Sequence, residues 1–167
     1  TLLYLSDVYE NELDDLTTSR TWASDTTNSD ATTLAQDTNK AKSGNSLRCI
    51  ITSGQSTNIR ATIYTSTTLT TAIDASDIEN LGVFRFWAGL HSMSAANLAR
   101  ISGVTFFWGS DTNSSPSART NYWSLQVTTP LLGGSFKPTW NRMSFPWASA
   151  TVTGSPSASA LRYFEIQ

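Results

Sequence analysis

Apolar and polar residues alternate in short runs along most of the chain from Gly44 onward. Alternation with a period of two is typical of β-strands that bury one face, and residues that favour turns separate the runs. The pattern predicts seven strands, at Ser46–Ser53, Asn58–Ser66, Gly82–His91, Ser102–Trp108, Asn121–Thr128, Trp140–Trp147 and Ala160–Gln167. It also predicts shorter elements, namely strands at Tyr4–Tyr9 and around Thr32–Ala35 and helical turns within Ala72–Asn80 and Ala95–Ala99.

The spacing of these strands predicts the fold class. Strands of this length without long helices between them indicate an all-β protein, an antiparallel β-sandwich of two packed sheets with very little helix. No internal repeat or second domain is visible, so a single domain over residues 1–167 is expected. In each strand every second residue is apolar and is expected to face the core. The residues between them have the opposite, outward parity and include Arg48, Arg60, Tyr64, Arg85, Trp87, Tyr122, Gln126, Arg142, Tyr163 and Glu165.

The composition supports this fold and excludes several kinds of partner. The chain has 25 threonines and 24 serines but only 14% charged residues, which disfavours a helical bundle. A net charge of −2 and dispersed arginines argue against nucleic acid as a partner. No apolar run approaches the roughly 20 residues of a membrane span, so no membrane insertion is expected. A single cysteine, Cys49, forms no internal disulfide, and it is expected to be a small core residue.

Charge is concentrated near the start of the chain. Residues 1–37 contain eight acidic side chains and one arginine. Two interpretations follow, a solvated and loop-rich segment or a site for a cation or a partner.

Few residues support catalysis. The one histidine, His91, lacks the sequence context of a nucleophile elbow and is interpreted as a surface residue at a strand end. A glycosidase needs two facing carboxylates, and no motif pairs Asp74, Asp77, Glu79 or Asp111. The sequence therefore predicts a protein that is not an enzyme.

Short motifs spread over nearly the whole chain resemble a known class of module. They are Asp7–Glu10 followed by Trp22, Gly44–Leu47, Phe84–Trp87, Trp108–Asp111, Asn121–Trp123, Thr139–Met143 and Leu161–Ile166. In order and spacing they resemble jelly-roll domains related to carbohydrate-binding modules, including versions in bacteriophage and other viral structural proteins. Two departures are Thr139, where glycine commonly precedes Trp-Asn, and an insertion at Thr112–Thr120. Within these motifs, Asp111 and Asn141 are expected to bond nearby backbone groups in turns.

The resemblance implies a non-catalytic jelly-roll module that recognises glycans, as a virion surface or tail component or an extracellular protein. The alternative is a structural or decoration protein of a viral particle, possible as a homo-oligomer, whose outer face binds a neighbouring subunit, because arginine and aromatics also favour protein interfaces. A glycoside hydrolase or its accessory domain is a distant third reading. Aromatic rings that pack on sugars, beside side chains that bond hydroxyls, give the predicted contact residues. They are Trp87, Tyr122, Arg85, Gln126, Tyr64 and Trp108.

The resemblance also implies a structural calcium ion where the first strand meets the last. The matching positions are Asp7 or Glu10, Asn45 and Glu165, with carbonyl groups from the loop before Ser46. Lys40 and Lys42 lie beside this loop and would neutralise the carboxylates themselves. Solvated acids or a pair between Glu165 and an arginine therefore remain the alternatives to a metal.

Overall fold

A computed structural model describes residues 22–25, 31–37, 46–51, 63–65, 72–91, 93–112 and 116–167. Within these ranges the strands are β1 (Trp22–Ser24), β2 (Ala31–Asp37), β3 (Ser46–Ile51), β4 (Ile63–Thr65), β5 (Val83–Gly89), β6 (Val104–Gly109), β7 (Tyr122–Val127), β8 (Trp140–Pro146), β9 (Thr151–Thr153) and β10 (Tyr163–Ile166). The described helices are α1 (Ala95–Leu98) and 3-10 turns at Ser76–Ile78, Pro116–Ala118, Trp147–Ser149 and Ala158–Ala160. The all-β prediction is confirmed, and none of these helices is long and apolar enough to cross a membrane.

The strands pair in three antiparallel sheets. Six strands form the largest sheet in the order β1-β4-β10-β6-β7-β9, and the other two sheets are the pairs β2-β3 and β5-β8. The β5–β8 pair is in continuous register from Val83 opposite Pro146 to Gly89 opposite Trp140.

Aromatic side chains pack the β5–β8 pair against the six-stranded sheet. The ring centroid of Phe84 on β5 lies 4.9 Å from that of Trp108 and 5.3 Å from that of Phe106, both on β6. Phe86 stacks on Phe145 of the neighbouring strand at 5.1 Å. The buried core combines residues of both sheets with those of the connecting turns, including Trp123, Met143, Trp147, Leu161 and Phe164. These are mostly the positions that the strand alternation assigns to the core.

The predicted strands agree with the structure wherever the chain is described. Each of the seven predicted runs overlaps a strand, with β6 ending one residue beyond the predicted end at Trp108, and Ala95–Leu98 forms the helical turn expected there. β2 extends beyond the predicted Thr32–Ala35, whereas the predicted strand at Tyr4–Tyr9 lies outside the described residues. β1 and β9 were not predicted as strands, because three residues are too few to establish an alternation.

Two buried polar side chains hold the loops that precede β7 and β8. Asp111 accepts hydrogen bonds from the backbone N–H of Thr120 at 2.8 Å and of Asn121 at 3.0 Å. Asn141 accepts from the N–H of Lys137 at 3.0 Å and donates to the carbonyls of Lys137 and Thr139 at 2.9 Å. Both side chains thus satisfy loop backbone, as expected from their positions beside strands.

Candidate functional site

One side of the β5–β8 pair presents aromatic and arginine side chains away from the core. Trp87 lies directly opposite Arg142 in the register, and residues that are directly opposite share a face of the sheet. Since Phe84 and Phe86 point into the core, Arg85 and Trp87 point to the other side. We call the side chains of Arg85, Trp87, Trp140 and Arg142 the β5–β8 outer face.

Trp87 is the exposed aromatic ring of this face. It retains 39% of its accessible surface, whereas Trp108, Trp123 and Trp147 are buried almost completely. The guanidinium carbon of Arg142 lies 5.9 Å from the Trp87 ring centroid, within the range of a cation–π contact. The ring is thereby oriented by a cross-strand partner and still offers surface to a ligand.

Trp140 occupies the end of the same face. Its ring packs across Gly89, where an added Cβ would come within 2.8 Å of Trp140 Cζ3, so a larger residue there would displace the ring. The ring of His91 meets that of Trp140 edge-on at 5.0 Å, and both residues are half-buried. The interpretation of His91 as a surface residue needs correction, because Trp140 has the outward parity of β8 and its ring packs against His91.

A loop with two exposed leucines lies beside this face. The N–H of Leu131 donates to the carbonyl of Arg142 at 2.8 Å, which holds the loop against the edge of β8 that does not pair with β5. Leu131 is 45% exposed and Leu132 is 88% exposed. The surface around the arginine of β8 is therefore apolar as well as charged.

The structure does not bring the predicted contact residues together. Arg85 and Trp87 lie on the β5–β8 outer face, but Tyr122 and Gln126 lie on β7 of the six-stranded sheet. Tyr122 contacts Phe107 at 5.7 Å, on the side of that sheet that faces away from the β5–β8 pair. The predicted patch of Trp87 and Tyr122 is therefore split between opposite sides of the core.

Two further predicted contact residues belong to the six-stranded sheet. Tyr64 is half-buried on β4, opposite Glu165 of β10. Trp108 is fully buried and packs against Phe84 and Trp147 in the core. Its assignment as a surface contact is wrong, because it shares the inward parity of Phe106 on β6.

The other side of the six-stranded sheet holds a buried charge. Glu165 is fully buried, and its Oε2 accepts hydrogen bonds from the hydroxyl of Tyr163 and from the guanidinium of Arg119. The guanidinium carbon of Arg119 also lies 4.1 Å from the ring centroid of Phe107. Burial raises the pKa of Glu165, while the hydrogen bond from Tyr163 and the charge of Arg119 act to lower it.

The described part of the insertion at Thr112–Thr120 places Arg119 against these outward side chains. Its 3-10 turn at Pro116–Ala118 precedes Arg119, which donates to the carbonyl of Pro116 at 3.0 Å and reaches across the sheet to Glu165. Alternation places Tyr163 and Glu165 on an outer face, but both are fully buried, and Glu165 pairs with Arg119. This burial does not follow from the periodicity of a single strand.

Glu165 is the one predicted calcium ligand that the structure describes, since Asp7, Glu10 and Asn45 lie outside the described residues. Its contact with Arg119 is the arginine pair that the sequence left open as an alternative. Among the described residues, no three His, Cys, Asp or Glu side chains lie close enough to hold a metal ion.

Because Arg119 supplies a positive charge to Glu165, we expect a chelator to leave the melting temperature of the protein unchanged. Differential scanning calorimetry with and without EDTA measures this directly. A lower melting temperature in EDTA that added calcium restores would show instead the ion that the resemblance implies.

Comparison of the chain with protein-family models, curated proteins and solved structures finds no match. The likeness to carbohydrate-binding modules thus rests on the motifs alone, and the geometry of the site carries the functional argument.

Proposed function

We propose that the protein is a non-catalytic glycan-binding module of jelly-roll type, and that its binding site is the β5–β8 outer face. The observation that carries the proposal is the exposed Trp87 ring beside the guanidinium of Arg142 on the β5–β8 pair. An exposed ring packs on the apolar face of a sugar, and a guanidinium beside it donates hydrogen bonds to the sugar oxygens. A place on a virion surface or outside the cell is supported by the motif resemblance alone.

The shape of the face suits an extended ligand. From Val83 to Gly89 the strand pair spans roughly 20 Å at 3.4 Å per residue. Aromatic side chains occupy one end and the middle, at Trp140 and Trp87, so two points along a chain of sugars would meet a ring. Strands position both rings, which favours a site formed before the ligand arrives.

A glycan array followed by calorimetric titration of its strongest hit tests the proposal. Trp87→Ala should weaken binding by about tenfold or more, because the central ring is removed. Tyr122→Ala is the matched control on the opposite side of the core and should bind as the wild type does. An array without hits, or equal binding by the Trp87→Ala variant, would refute the proposal.

A second function is favoured by a specific observation, the exposed Leu131 and Leu132 beside the same face. Exposed apolar side chains next to arginine and tryptophan are typical of protein interfaces. A structural or decoration subunit would then use this surface to bind a neighbouring subunit. An array without hits, together with an oligomer in light scattering that Leu132→Ser abolishes, would support this function instead.

A further inference from the structure

The β5–β8 outer face carries positive charge around its central ring. Arg142 lies across from Trp87, and Arg85 lies two residues before Trp87 on the same side of β5, roughly 7 Å along the strand. Arg85 is exposed and Arg142 is half-buried, and both lie on the side of the strand pair on which the ring is accessible. A guanidinium has five N–H donors, so a contact within the protein still leaves donors for a ligand.

The strands themselves place no carboxylate on this side. The residues of β5 and β8 with outward parity are Val83, Arg85, Trp87, Gly89, Trp140, Arg142, Ser144 and Pro146. None of these is acidic, and Ser144 is the one member whose side chain accepts hydrogen bonds. The described strand pair therefore offers its ligand many donors and very few acceptors.

This imbalance distinguishes between classes of sugar. A neutral sugar presents hydroxyl groups that both donate and accept, and it is best satisfied by amides or carboxylates beside the arginines. A carboxylate or sulfate only accepts, and the planar fork of a guanidinium matches either group with two parallel hydrogen bonds. A face of donors around an aromatic ring is thus complementary to an acidic sugar.

We infer that the glycan bound at this face is anionic, and that its carboxylate or sulfate pairs with Arg85 and Arg142 while a sugar ring packs on Trp87. The inference rests on the proposed function and specifies its ligand class. Carboxylated and sulfated sugars share the recognised chemistry, so the experiment uses one polymer of each kind with its neutral counterpart.

Binding of the whole protein to four polymers tests the inference. Polygalacturonate is compared with its methyl ester, and dextran sulfate is compared with dextran. We expect binding to one or both anionic polymers, and about tenfold or more weaker binding to the neutral counterparts. Arg85→Gln and Arg142→Gln should each weaken anionic binding by about tenfold. Arg100→Gln removes an exposed arginine outside this face and should leave the affinity unchanged.

The outcomes separate this inference from the proposed function. Neutral glycans that require Trp87, and that bind equally well to both glutamine variants, would overturn the inference and leave the proposed function intact. Equal loss of anionic binding in Arg100→Gln would show attraction to overall charge and would also overturn the inference. No binding to any of these polymers or to the glycan array would overturn both.

Discussion

Replacing Trp108 with alanine is expected to lower the free energy of unfolding by about 3–5 kcal/mol, the usual cost of removing a large buried side chain. The same replacement at Trp87 is expected to cost less than about 1 kcal/mol, as at other surface positions. Trp108 is fully buried among Phe84, Phe106 and Trp147, so its removal leaves a cavity in the core. Trp87 retains 39% exposure, and its loss opens no enclosed space.

Chemical denaturation of the two variants, followed by far-ultraviolet circular dichroism, measures this difference. If Trp108→Ala does not fold, Trp108→Phe provides a milder variant. Since Trp108 Nε1 has no hydrogen-bond partner among the described residues, the change to phenylalanine removes packing contacts but no hydrogen bond. Comparable losses of stability at Trp87 and Trp108 would contradict the assignment of one ring to the surface and the other to the core.

Arg119→Met is expected to destabilise the protein by about 3 kcal/mol at neutral pH, because it leaves the buried carboxylate of Glu165 without its charged partner. It also removes the contact of the guanidinium with the Phe107 ring. The matched control is Arg48→Met. Arg48 is exposed and lies 3.8 Å from Asp37, so this pair contributes about 1 kcal/mol or less. Equal effects of the two substitutions in urea denaturation would refute the role assigned to Arg119.

The cost of Arg119→Met should also depend on pH. Burial raises the pKa of Glu165 above its ordinary value of 4.5 in the folded protein. Below pH 4.5 the group is protonated in both the folded and the unfolded state, so no unpaired charge is buried. As pH rises through the folded pKa, the stability that the proton provides is lost.

Without the positive charge of Arg119, ionising the buried Glu165 costs more stability as the pH rises. The difference in stability between wild type and Arg119→Met should therefore widen from pH 4 to pH 7. Adding Glu165→Gln to the variant should remove this widening, since glutamine does not ionise. A difference that is constant over this pH range would contradict the mechanism.

The sequence predicted the strands well because a period of two is a local property. The inward positions of β5, β6 and β8 are correct for Phe84, Phe106, Met143 and Phe145. Asp111 and Asn141 were likewise predictable as loop-bonding residues, because their type and their place beside a strand determine their partners.

The composition of the site was only partly predictable, because it depends on contacts between distant segments. Alternation indicates that Trp87 and Tyr122 point outward, but it does not indicate which sheet each strand joins. Trp140 joins the outer face because β8 pairs with β5, which brings it opposite Gly89. The buried Glu165 pairs with Arg119, which lies 46 positions away in the sequence. Only the fold brings such pairs together.

Titration of the nitrogen-15-labelled protein with its tightest-binding glycan, followed through the indole N–H signals, shows whether the glycan binds at the β5–β8 outer face. The chain has six tryptophans, and Trp→Phe variants assign their signals. Binding at the β5–β8 outer face predicts that the signals of Trp87 and Trp140 move, while those of the buried Trp108, Trp123 and Trp147 stay in place. If the signals of Trp87 and Trp140 do not move while the glycan is bound, the glycan binds elsewhere and the proposed site is wrong.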